Sequence, residues 1–204
     1  AVLRLYHEGM RRGMEVDWPK FNELLTWAPG HLTVVGGYPG SGKGEWLDDL
    51  FVRLARLHGW KFVVYSPENY PVELHLAKLL MKVRGKPFGV GPSERMTEEE
   101  VLQGMTFLDE HFRFINPETP TLGNLLELAR IEKRRFGANS LLIDPMNEVI
   151  TNPKGGETLA EYISTMLSEL KRFLRVNMMH GFLVSHPRKP IPTNKALVPG
   201  PFEA

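Results

Sequence analysis

The chain has 204 residues, 42% hydrophobic and 24% charged, with 10% aromatics, no cysteine and a formal net charge of +1. That length suits one α/β domain with a sizeable core, and the lack of cysteine excludes disulfides, thiolate zinc sites and a cysteine nucleophile, which fits a reducing compartment. A charge of +1 leaves only local patches for nucleic acid, and the pattern shows neither the ~18 apolar residues of a membrane span nor a secretory signal.

Residues 2–12 read as a short amphipathic helix ending near Gly13. Asp17-Trp18-Pro19 starts a second one, over 17–25, with Asp17 placed to cap it and Pro19 suited to a first turn. Pro29-Gly30 is a turn and Leu32-Thr33-Val34-Val35 a strand. A helix is predicted over 45–57, stopped at Gly59, then a strand over 61–66. Pro71 opens a helix over 71–83 with Val72, Leu76, Leu79, Leu80 and Val83 on one face. Residues 85–92, rich in glycine and proline, form a loop. Thr97 and Glu100 make a capping-box pattern leading into a helix that ends near Phe107. A third strand covers 112–115, a helix 121–136 stopped by Gly137, and a buried fourth strand 140–144. After a polar turn at 152–157 comes the most regular helix, 158–178. Its Leu159, Tyr162, Ile163, Met166, Leu167, Leu170, Phe173 and Leu174 follow the 3.6-residue period. A fifth strand covers 182–185. Strands alternating with helices predict an α/β fold with a mainly parallel sheet and helices on both faces.

Between the first strand and its helix lies Gly37-Tyr38-Pro39-Gly40-Ser41-Gly42-Lys43. Strand, glycine-rich turn, lysine and helix form the context of a P-loop. In such a loop successive backbone N–H groups curl around phosphate oxygens, and the helix N-terminus adds its positive end. Lys43 is expected to reach the β- and γ-phosphates. The serine or threonine that normally follows, as a magnesium ligand, is replaced by Gly44. The backbone cradle needs no side chain there, so nucleotide binding is expected while the metal site is weakened.

Ligands of an open parallel sheet lie beyond the carboxyl ends of its strands. The residues closing the strands are therefore the candidates. Strand two ends in Ser66-Pro67-Glu68-Asn69, strand four in Asp144-Pro145-Met146-Asn147-Glu148, strand five in Ser185-His186-Pro187-Arg188. Asp144, after three apolar residues, reads as the Walker B carboxylate that holds Mg2+, usually through water. Glu68 reads as the carboxylate that polarises the attacking water, and His186 as the sensor of the γ-phosphate. Each has a plainer reading: a turn cap beside Pro145, a solvated loop carboxylate, a turn histidine before a proline. Lys133-Arg134-Arg135, at a helix end, reads as a solvated face that compensates the helix dipole.

From about Met14 to Lys189 these residues resemble the hexameric replicative helicases of the RecA-like class, especially the Twinkle-type and phage helicase-primase branch. The resemblance rests on Pro29-Gly30-His31-Leu32 leading into the P-loop, Gly59-Trp60-Lys61-Phe62, Ser66-Pro67-Glu68-Asn69, the Asp144-Pro145-Met146-Asn147-Glu148 element and Ser185-His186-Pro187-Arg188-Lys189. It implies a RecA-like P-loop NTPase core, with the Walker B strand between the glutamate strand and the histidine strand. It further implies ATP or another NTP with Mg2+, a ring homo-oligomer of hexameric kind, and single-stranded DNA through its centre. Arg188 or Lys189 becomes a candidate that responds to phosphate state, and residues 2–12 occupy the place of a linker helix. The implied organisation is a linker helix and lead-in at 1–30, an ATPase core at 31–189 and an irregular tail at 190–204. The chain is expected to be a motor core within a longer protein, working in the cytoplasm of a bacterial or phage-infected cell or in an organelle, with no membrane partner. Two alternatives stay open: a module that binds NTP but hydrolyses it poorly because of Gly44, and a RecA/recombinase-type or circadian-type ATPase. The elements at 144–148 and 186–189 argue against the latter.

Overall fold

A computed structural model describes residues 2–9, 12–149 and 158–187, with the side chains of Arg4 and Leu5 left aside. Within them the elements are α1 (Val2–Glu8), α2 (Pro19–Asn22), β1 (Leu32–Gly36), α3 (Lys43–His58), β2 (Phe62–Tyr65), α4 (Val72–Arg84), α5 (Glu98–His111), β3 (Phe112–Phe114), α6 (Leu122–Arg135), β4 (Ser140–Ile143), α7 (Leu159–Asn177) and β5 (His180–Ser185). The five strands form one sheet in the order β1-β5-β4-β2-β3. Every pairing is parallel.

The chain steps across the sheet in one direction from β1 through β2 to β3, then back through β4 to β5. Parallel crossovers are right-handed, so reversing the direction puts the connecting helices on the opposite face. Accordingly α3, α4 and α5 cover one face, and α6 and α7 the other. Every residue of β2, β4 and β5 is buried, as strands covered on both sides must be. Alternation along the strands divides their side chains between two cores. Phe62, Val64, Leu142, Phe182 and Val184 meet the α3–α4–α5 layer. Val63, Tyr65, Leu141, Ile143 and Leu183 meet α6 and α7. The lead-in joins the first core: Val16 and Trp27 are buried in it, and Met14 and Trp27 exchange two backbone hydrogen bonds.

Several boundaries differ from the sequence expectation, each for a local reason. Helix α1 stops at Glu8, and Gly9 turns the chain at φ +74°; Arg12 lies outside it and donates instead to the Asn22 carbonyl. Helix α2 is a single turn, and Asp17 does not cap it: Trp18 holds the cap position without a side-chain bond. Asp17 is drawn to Arg53, 2.5 Å away on α3, because a full positive charge outcompetes a backbone N–H. Helix α5 runs to His111 and passes directly into β3, with neither glycine nor proline to stop it at Phe107. Strand β5 starts at His180, earlier than expected, since Gly181 takes its place opposite Leu32 of β1. The capping box at Thr97 and Glu100 forms with both bonds, and Thr158 with Glu161 makes a second. The polar turn at 152–157 and the tail at 190–204 lie outside the described residues.

Candidate functional site

Because all five strands are parallel, their carboxyl ends share one edge, and the segments that follow β1, β2, β4 and β5 are forced together. The loop after β1 supplies the floor. Gly40 and Gly42 have φ +77° and +85°, and Gly42 caps α3 in the left-handed conformation, which only glycine adopts without strain. At Gly37 an added Cβ would come within 3.0 Å of Ser41 Oγ and 3.4 Å of Lys43 Cδ. The loop is thus a cradle closed enough that a side chain at Gly37 would fill it. Lys43 folds back over it, its Nζ donating to the carbonyls of Gly37 at 2.7 Å and Tyr38 at 2.9 Å.

A cavity of about 340 Å³ opens above this floor, within the range of small-ligand sites. Loop residues 39–44 line it together with Glu45, Glu68, Asn69, Lys78, Asp144 and His186. Glu68 reaches it from the 3₁₀ turn after β2, Asp144 from the end of β4, His186 from the end of β5. His186 Nε2 lies 3.3 Å from Glu68 Oε2. Among the described residues the other ring nitrogen, Nδ1, is buried with no hydrogen-bond partner. Asp144 is buried and accepts a bond from Ser66 Oγ at 3.3 Å. Burial pushes its carboxyl above the ordinary aspartate range, and the nearby Glu68 carboxylate pushes the same way.

One ligand atom from each of Glu68, Asp144 and His186 falls within 4.8 Å of the others. Two carboxylates competing for one small volume form an environment that a divalent cation relieves, so the donor set fits a cation. Gly44 adds no oxygen to it, and a Cβ built there meets nothing within 4 Å. Of the sequence candidates, residues 39–44, Glu68, Asp144 and His186 line this cavity, and Gly37 and Tyr38 form the loop's entry. Arg188 lies outside the described residues.

Sequence reasoning overlooked three contributors: Lys78, the bonding role of Ser66 and Asn69, and a buried pair, Asp48 of α3 with His75 of α4, 2.9 Å apart. Lys78 sits on the polar side of an amphipathic helix, where a lysine carries no signal of its own. The polar pair interrupts two apolar faces, which was the one available clue.

No family model matches the chain. It is 38% identical over 188 residues to the Twinkle homolog protein, chloroplastic/mitochondrial, of Arabidopsis thaliana. That alignment covers 89% of the chain and 26% of the relative, so the chain spans about a quarter of that protein's length. A solved DnaB-like replicative helicase superposes with a TM-score of 0.69 at 13% identity, over 92% of the chain and 48% of the helicase. The ATPase domain of G40P superposes with 0.69 at 12% identity, over 92% and 70%. A KaiC-like protein from Pyrococcus horikoshii gives 0.58 at 17% identity, over 86% and 70%. The β4 strand that carries Asp144 lies between β2 and β5, as in the expected RecA-like order. The chain is a Twinkle homologue over this span, with the RecA-like P-loop NTPase core that it shares with DnaB-like replicative helicases.

Proposed function

We propose that the chain, chiefly residues 31–189 with 1–30 as lead-in, is the motor core of a replicative DNA helicase that couples hydrolysis of ATP or another NTP to movement on single-stranded DNA. The observation that carries this reading is the meeting of the P-loop, Glu68, Asp144 and His186 around one cavity. The likeness to the Twinkle homolog supports it.

In this reading the loop's N–H groups and Lys43 bind the phosphates. Glu68 orients a water and takes its proton as the water oxygen bonds to the γ-phosphorus. The bond from that phosphorus to the β–γ bridging oxygen breaks, and the diphosphate leaves with the electron pair. His186, now beside Glu68, exchanges that partner for the γ-phosphate. Asp144 would hold Mg2+, through water, without help from Gly44, and the ion would supply positive charge to offset that of the phosphates. Arg188 is assigned the part of a further cation responsive to phosphate. The partners are single-stranded DNA and further copies of the chain in a ring, a hexamer by resemblance. Among the described residues no helix is long and apolar enough to cross a membrane. The Arabidopsis relative's chloroplast or mitochondrial address makes an organelle the compartment to test first.

Gly44 favours a second reading, a module that binds NTP but turns it over slowly. Steady-state hydrolysis by the full-length protein, with and without single-stranded DNA, separates the two. Hydrolysis stimulated by DNA and lost in both Lys43→Ala and Glu68→Gln is the expected result. Tight nucleotide binding with no turnover would favour the second reading, and full activity in Glu68→Gln would remove that residue from the mechanism.

A further inference from the structure

The cavity holds a second lysine that no phosphate motif contains. Lys78, in the second turn of α4, lines it together with the loop. Its Nζ donates to Asn69 Oδ1 at 2.9 Å. Asn69 Nδ2 donates to Ser66 Oγ at 2.9 Å, and Ser66 donates to Asp144 Oδ2 at 3.3 Å. A continuous run of hydrogen bonds therefore joins an ammonium on α4 to the buried carboxylate at the end of β4.

Helix α4 is fixed against the P-loop helix on both sides of Lys78. One turn before it, buried His75 meets buried Asp48 of α3 at 2.9 Å. One turn after it, Lys82 pairs with Glu45 at 2.7 Å. A half-buried lysine ordinarily sits against a carboxylate, as Lys82 does. Among the described residues Lys78 makes no carboxylate contact within ion-pair distance, although its charge helps hold the Glu45 carboxyl below its usual range from further off; its hydrogen-bond partner is a neutral amide oxygen. A cation fixed by its helix, hydrogen-bonded to an uncharged partner and lining the same cavity as the glycine-rich loop is complementary to an anion. It stands on the Glu68–Asn69 side of the cavity, where the proposed function puts the terminal phosphate. There it adds positive charge to a site whose Gly44 lends no metal ligand.

We propose that Lys78 is a phosphate-binding residue that contacts the terminal phosphate of a bound nucleoside triphosphate and so distinguishes triphosphate from diphosphate. The inference rests on the P-loop reading of the same cavity. A non-hydrolysable ATP analogue and ADP, each titrated into the full-length protein by calorimetry, test it. Lys78→Met keeps the aliphatic stem and is expected to weaken the triphosphate analogue about tenfold or more, while ADP changes by no more than about twofold, the loss of one charge-assisted hydrogen bond. Lys78→Arg, which keeps the charge, is expected to retain most of the affinity. Lys43→Ala serves as the reference and loses both ligands; normal binding there would overturn the P-loop reading itself. With Lys43→Ala defective, an unchanged triphosphate-to-diphosphate ratio in Lys78→Met overturns the Lys78 proposal alone. Asn69→Ala is expected to leave that ratio near the wild-type value. If it reproduces the Lys78→Met loss, the lysine acts only by positioning the Asn69–Ser66–Asp144 run, and direct phosphate contact is refuted.

Discussion

Gly44 lies in the first turn of α3, and the open space around its missing Cβ leaves room for a hydroxyl. Gly44→Ser or Gly44→Thr is therefore expected to lower the magnesium concentration for half-maximal turnover of the full-length protein. Unchanged metal dependence in both would mean that the ion is held elsewhere or that nucleotide is not hydrolysed. Asp144 makes the opposite compromise. Its folded-state carboxyl is raised above 3.8, so the folded protein binds the proton more tightly than the unfolded chain. Stability then falls as pH climbs through the window above 3.8, and at neutral pH the ionised group is a liability. Asp144→Asn keeps an oxygen for Ser66 and removes that charge. It is expected to raise the melting temperature of the nucleotide-free protein at pH 7 while abolishing hydrolysis, as residues kept for function at a cost in stability do. An unchanged or lower melting temperature would contradict the electrostatic account.

At the scale of elements, α7 ties the second core together. Its capping box satisfies two N-terminal groups, with Glu161 N–H donating to Thr158 Oγ1 and Thr158 N–H to Glu161 Oε2. Its Met166, Leu170, Phe173 and Leu174 are buried against β4, β5 and α6. Leu170, 1% exposed, belongs to this layer and does not line the cavity. Leu170→Ala is expected to cost about 2–5 kcal/mol through lost burial and an unfilled cavity, and Thr158→Ala about 1 kcal/mol, both read from urea denaturation. Equal effects for the two would show that the cap, not the core, limits this helix. The apolar period of α7 was legible in the sequence because an amphipathic face repeats whatever it packs against. The Asp17 cap and the length of α5 were not, because a distant arginine and the adjoining strand decided them.

At the scale of the molecule, His180 joins the lead-in to the sheet. Its Nδ1 donates to the Ala28 carbonyl at 2.7 Å, and its Nε2, as acceptor, lies 2.9 Å from Thr33 Oγ1. In the neutral ring each nitrogen has its partner, with the Thr33 hydroxyl donating to Nε2. Burial, as the largest cause, lowers its pKa from 6.5 to about 4. The unfolded chain thus binds more protons between those values, so the stabilisation is complete above about 6.5 and is lost as pH falls towards 4. Linkage puts that loss on the order of 3 kcal/mol. The urea midpoint is expected to drop across this window, and to drop less in His180→Gln; parallel curves for the two proteins would rule the histidine out.

The sequence by itself determined the alternation of strands and helices, the glycine-rich loop and the identity of Glu68, Asp144 and His186 as strand-end groups. Those features are written in local pattern: apolar period, glycine where the backbone must turn left-handed, a carboxylate or histidine where a buried run ends. Only the tertiary structure decided that the lead-in's Val16 and Trp27 belong to the core, and that Lys78 lines the cavity bonded to Asn69. Each of these depends on contacts between residues far apart in the chain. A lysine on a helix surface looks the same in sequence whether it faces solvent or a cavity, and packing α4 on α3 is what settles which.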